Sequence, residues 1–71
     1  MWRVQINADQ PLQGNSGTVT VELGILPLPG DTLMVGDNNT QWRVVERTII
    51  VHDATHPKKE YVDAVLQVTR I

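Results

Sequence analysis

Apolar residues recur at every second position in nearly every segment of this sequence that is bounded by Gly, Pro, Asn or Asp. A period of two is that of a β-strand with one buried and one solvent-facing side, whereas a helix repeats every three or four residues. The pattern predicts an all-β chain without helix. The segments that show it are Trp2–Asn7, Thr18–Leu23, Leu33–Val35, Thr40–His52 and Val62–Arg70.

The connections between these segments carry residues typical of turns. Leu28-Pro29-Gly30-Asp31 has proline where a fixed φ is needed and glycine where φ must be positive, so it predicts a type II turn. The segment 36–39, Gly-Asp-Asn-Asn, tolerates left-handed backbone and predicts a tight hairpin. The longer connections, 8–17 and 53–60, are polar and each contains a proline.

The alternation slips within the fourth predicted strand. Trp42 and Val44 share one parity, whereas Ile49 and Val51 share the other. A β-bulge near residues 45–47 would bring both pairs to the same face of the sheet. The alternative is burial on both faces along residues 49–51, and the sequence leaves the two interpretations open.

Five strands of unequal length suit a small barrel or two short sheets packed orthogonally. The long first connection, the step Pro29-Gly30-Asp31-Thr32-Leu33 into a short strand, the hairpin 36–39 and the strand start Trp42-Arg43-Val44-Val45 resemble an SH3-like barrel. The resemblance implies a single, partly open, antiparallel barrel over residues 1–71, of a class that includes peptide-binding and nucleic-acid-binding modules. The chain departs from proline-peptide-binding SH3 domains, because its aromatic residues are only Trp2, Trp42 and Tyr61.

Size and composition exclude several classes of protein. A chain of 71 residues without cysteine is expected to be marginally stable and has no disulfide or thiolate metal site to support it, which favours self-association. A net charge of −2 does not suit a dedicated nucleic-acid binder. No signal peptide or membrane-spanning run is visible, so we expect a cytoplasmic protein, and the initiating Met1 favours a complete chain. We expect it to act as a subunit or accessory module in a bacterial or viral setting.

Candidate catalytic and metal-binding residues have simpler explanations, so we expect no enzyme activity, cofactor or metal. His52 and His56, near Asp53 and Glu60, straddle a strand end and a loop, where no ligand geometry is prescribed. Asp31 and Asp37 occupy turn positions where a short carboxylate accepts hydrogen bonds from backbone N–H groups. The hydroxyl residues and glycines form no triad and no phosphate-binding loop.

Two binding surfaces follow from strand parity. Apolar residues left outside the predicted core indicate a contact surface for a protein partner or a second copy, with Ile50 and Val65 as cross-strand neighbours. The alternative is nucleic-acid binding by strand arginines on one outer face, with acidic residues interleaved among them. The candidate interface residues are Leu26, Leu28, Met34, Ile50 and Val65. The candidate nucleic-acid contacts are Arg3, Arg43, Arg47 and Arg70.

Overall fold

The computed structural model describes residues 1–12, 17–35, 40–51 and 62–71. All regular structure in these ranges is β-strand, as the alternation predicts. The strands are β1 (Trp2–Ala8), β2 (Thr18–Leu23), β3 (Thr32–Met34), β4 (Gln41–Ile49) and β5 (Ala64–Arg70). The predicted hairpin at residues 36–39 and the loop 53–60 lie outside the described residues.

The five strands form one sheet in the order β2-β1-β5-β4-β3, which curls into a half-barrel. The expectation of a wholly antiparallel sheet is wrong, because β1 and β5 are parallel. The physical reason is the connection between the two edge strands. The chain reverses direction between β2 and β3, so β3 runs in the same direction as β1. It reverses again from β3 to β4 and from β4 to β5, which leaves β5 parallel to β1.

The hydrophobic core lies on the inner face of the curled sheet. Strand alternation places Val4, Leu66 and Trp42 there, each no more than 1% exposed. Leu12, from the segment after β1, and Pro27, from the connection between β2 and β3, are buried as well. Residues on the outer face are mostly exposed and polar. The remaining fully buried hydrophobic residues are Ile6, Val44, Ala64 and Val68.

The turn at Pro29-Gly30 sets the start of β3. Gly30 has a φ of +96°, and the Asp31 N–H donates to the Leu28 carbonyl at 3.0 Å, as a type II turn requires. The Asp31 carboxylate accepts the Leu28 N–H at 2.8 Å. Val44 of β4 forms two backbone hydrogen bonds with the end of the turn. Its carbonyl accepts from the Gly30 N–H at 2.8 Å, and its N–H donates to the Asp31 carbonyl at 2.9 Å. The turn is therefore joined directly to β4.

The pairing between β4 and β5 shifts register between Val44 and Glu46. The shift returns Ile49 to the face of Trp42 and Val44, since it lies opposite the buried Ala64. Burial on both faces is wrong for this segment, because Ile49 is 49% and Val51 90% exposed.

Candidate functional site

The outer edge of β2 is the longest regular strand edge in the described part of the chain that no described strand pairs with. β2 pairs on one side with β1 through six residues and has no described neighbour on the other. Its inner residues Val19, Val21 and Leu23 are half-buried, while Thr20 and Glu22 on the outer face are exposed. A strand edge of this kind is a template for pairing with another chain.

The pairing of β1 with β2 shows which backbone groups of β2 point to that edge. Ala8 donates to the Gly17 carbonyl at 2.8 Å, so the residue pair 8 and 17 is a hydrogen-bonded pair. Antiparallel pairs alternate, so Val19 and Val21 also direct their N–H and C=O groups toward β1. The N–H and C=O groups of Thr20 and Glu22 therefore point away from β1.

The second open edge, on β4, carries two features that oppose strand addition. β3 and its turn pair with β4 only as far as Val44, so within the described ranges the outer edge from Val45 onward has no strand beside it. The register shift falls at the start of this stretch, and Arg47 lies opposite Leu66 on the inner face. Irregular pairing and an inward-facing charge are devices by which natural sheets protect an edge. β2 has neither.

A shallow depression of about 480 Å³ lies beside the connection between β2 and β3. Leu26 and Leu28, two of the predicted interface residues, line it together with Asp31 and Leu33. The Asp31 carboxylate is already the acceptor for the Leu28 N–H. The depression is therefore largely apolar. Its one described carboxylate, that of Asp31, is held in a hydrogen bond within the turn.

The five predicted interface residues do not form one patch. Leu26 and Leu28 lie at the depression, and Met34 lies at the far end of β3, opposite Gln41. Ile50 follows the other end of β4, and Val65 lies opposite Thr48. The Ile50 N–H donates to the Asp63 carbonyl at 2.9 Å, so Ile50 and Val65 are diagonal neighbours and not directly opposite each other.

The four predicted nucleic-acid contacts are divided between the two faces of the sheet. Arg3 and Arg43 belong to the outer face, where they lie opposite Glu22 and Thr69. Arg47 and Arg70 lie opposite the buried Leu66 and Trp42, on the inner face. The register shift in β4 is the reason that Arg47 changes face. A single stripe of arginines does not form, and nucleic-acid binding stays a prediction.

The candidate metal ligands His52, His56, Asp53 and Glu60 lie outside the described residues, as do Asp37 and Tyr61. In the ranges that the structure describes, no three His, Cys, Asp or Glu side chains are grouped to hold a metal. Of the two tryptophans, Trp42 is buried in the core and Trp2 is half-buried against it.

Strand parity did not single out Thr20 and Glu22. Alternation shows which residues share a face, but strand order alone shows which strand lies at an edge.

The described residues contain no helix of the length and apolar character needed to cross a membrane. In the comparisons with known proteins, no family model, curated protein or solved structure matches this chain.

Proposed function

We propose that this protein is a non-enzymatic interaction module that associates with other chains by strand addition at the outer edge of β2. The observation that carries the proposal is the outward direction of the Thr20 and Glu22 backbone groups on a regular edge strand. A strand added there would satisfy these groups and extend the sheet.

The side chains of β2 define what kind of strand fits. The half-buried Val19, Val21 and Leu23 border the opening of the half-barrel, so an added strand would place its alternate side chains beside them. Apolar residues at those positions would bury area that is now in water, while polar residues would face Thr20 and Glu22. The expected partner segment is an extended strand of alternating apolar and polar residues.

The finer description of the fold belongs to the same proposal. We infer an SH3-like module with a β-bulge at Val45, supported by the short β3, the turn before it and the register shift between Val44 and Glu46. The parallel contact between β1 and β5 departs from the antiparallel barrel that the resemblance implies. The proposed use of β2 rests on the edge itself and not on this kinship.

A peptide titration followed by NMR tests the function. The probe is a synthetic peptide with the sequence of β2, Thr-Val-Thr-Val-Glu-Leu, added to isotope-labelled protein. We expect the largest amide shifts at Thr20 and Glu22 and much smaller ones at Ile49 on the protected edge. The control is the same peptide N-methylated at every residue, which has no backbone N–H to donate from either edge. Shifts that are absent from β2, or equal for the two peptides, would overturn the proposal.

A further inference from the structure

We propose that the strand added at the edge of β2 is β2 of a second copy of this chain, paired antiparallel about a two-fold axis at Val21. This inference rests on the proposed function and names its partner. The pairing would join two curled sheets of five strands into one continuous sheet.

The alternation of apolar and polar residues in β2 matches the strand that would pair best with its own open edge. The edge needs a strand with apolar residues toward the inner face and polar residues toward the outer face, and residues 18–23 have that alternation. A two-fold interface uses the same patch on both copies, so the patch must complement itself. An antiparallel copy of β2 places Val19 beside Leu23 of the second copy and Val21 beside its own equivalent, which continues the apolar row across the opening.

Charge and hydrogen bonding select this register. Only pairs between outward-facing residues can exchange ladder hydrogen bonds, so the two-fold axis passes through a residue, and the registers centred on Thr20 or Val21 pair the largest part of β2 with itself. Centring on Glu22 would set two like carboxylates opposite each other, which is unfavourable. Centring on Thr20 would set Leu23 opposite Gly17, so one of the three apolar residues of β2 would lose its apolar neighbour on the second copy. Centring on Val21 sets Thr20 opposite Glu22, where the threonine hydroxyl can donate to the carboxylate.

The small size of the contact sets the expected affinity. Stable protein interfaces bury about 800 Å² on each partner, and pairing of about five residues along one strand edge buries less. We therefore expect a dimer that dissociates on dilution, with a dissociation constant in the range of about 10 μM to 1 mM.

Cysteine cross-linking tests the register, because the natural chain has no cysteine. At a non-hydrogen-bonded antiparallel pair the two Cα atoms are about 4.5 Å apart, a distance that a disulfide spans. Under mild oxidation, Val21→Cys is expected to form a disulfide-linked dimer at least ten-fold faster than the matched control Ile49→Cys, which lies on the protected edge of β4. Faster cross-linking of Ile49→Cys, or equal rates, would overturn the assignment of the edge.

Proline substitution tests the interface without a cross-link. Thr20→Pro removes an N–H that points away from β1, so it blocks the added strand and leaves the pairing of β1 with β2 intact. The control Ile49→Pro removes an N–H that points away from β5. Sedimentation equilibrium should show a concentration-dependent dimer for wild type and Ile49→Pro and a monomer for Thr20→Pro, with far-ultraviolet circular dichroism confirming that both variants fold.

The results also separate this inference from the proposed function. A wild-type protein that stays monomeric at millimolar concentration, but whose Thr20 and Glu22 amides shift with the β2 peptide, would refute the second copy and retain strand addition. A protein that neither dimerises nor responds to the peptide would refute both. Where Thr20→Pro fails to fold, the Val21→Cys and Ile49→Cys cross-linking rates decide the inference alone.

Discussion

Replacing Gly30 with alanine tests the mechanism by which the turn sets the start of β3. Gly30 has a φ of +96°, and a Cβ built on it meets no atom within 4 Å, so the cost of a side chain there is conformational and not steric. Left-handed backbone costs an L-residue roughly 1–2 kcal/mol. The loss of flexibility in the unfolded chain returns about 0.4–1 kcal/mol.

We therefore expect Gly30→Ala to lower the free energy of unfolding by about 1 kcal/mol. A change of that size lowers Tm by about 4–8 °C in a domain of this length and lowers the urea midpoint by about 0.5 M for an m-value near 2 kcal/mol/M. Urea unfolding followed by tryptophan fluorescence measures it. All variants should be compared at one low protein concentration, because dimerisation would add to the apparent stability.

Gly24→Ala is the matched control. Its added Cβ also meets nothing within 4 Å, but Gly24 has no positive φ in the structure. This substitution should be neutral or should stabilise the fold by up to about 1 kcal/mol, because only the effect on the unfolded chain remains. Synthesis with D-alanine at position 30 should restore stability, since a D-residue favours positive φ. Equal stability of the Gly30→Ala and Gly24→Ala variants would refute the argument.

Substitutions at three further positions, Trp42, Asp31 and Leu66, test other parts of the fold. Trp42 is 1% exposed, and its indole Nε1 has no hydrogen-bond partner among the residues that the structure describes. Trp42→Phe should therefore cost less than about 1 kcal/mol in urea unfolding, against about 3–5 kcal/mol for Trp42→Ala. If Trp42→Phe and Trp42→Ala lowered the free energy of unfolding by similar amounts, the unpaired indole N–H would not reduce the stabilisation that the packed ring provides. Asp31→Ala should cost about 1 kcal/mol, because the Leu28 N–H loses its acceptor at 2.8 Å, while Asp31→Asn retains an acceptor and most of the stability; an Asn variant as weak as the Ala variant would contradict this. Leu66→Ala should cost about 2–5 kcal/mol in a fully buried position, whereas the control Leu28→Ala, at a side chain 53% exposed, should change stability by less than about 1 kcal/mol.

The sequence alone determined the class of fold and most of the local structure. Alternation depends only on the geometry of an extended chain, so the first, second and fifth strands could be located from it. The Pro29-Gly30 turn could be located because proline and glycine have restricted and permissive φ values of their own. The core could be predicted in the same way, because the alternation places Trp42 and Leu66 among the apolar residues of their segments.

Only the tertiary structure decided which strands are neighbours. The parallel contact between β1 and β5 joins segments that are far apart in the chain, and no local pattern encodes such a pairing. The strand order also leaves β2 at an edge. The register shift in β4 turns Arg47 to the inner face, and the pairing of β3 with the start of β4 separates Met34 from Ile50. The candidate site depends on these relations, because an open edge is a property of strand order. The residue pattern of β2 shows how it would pair, and the sheet shows that it is available to do so.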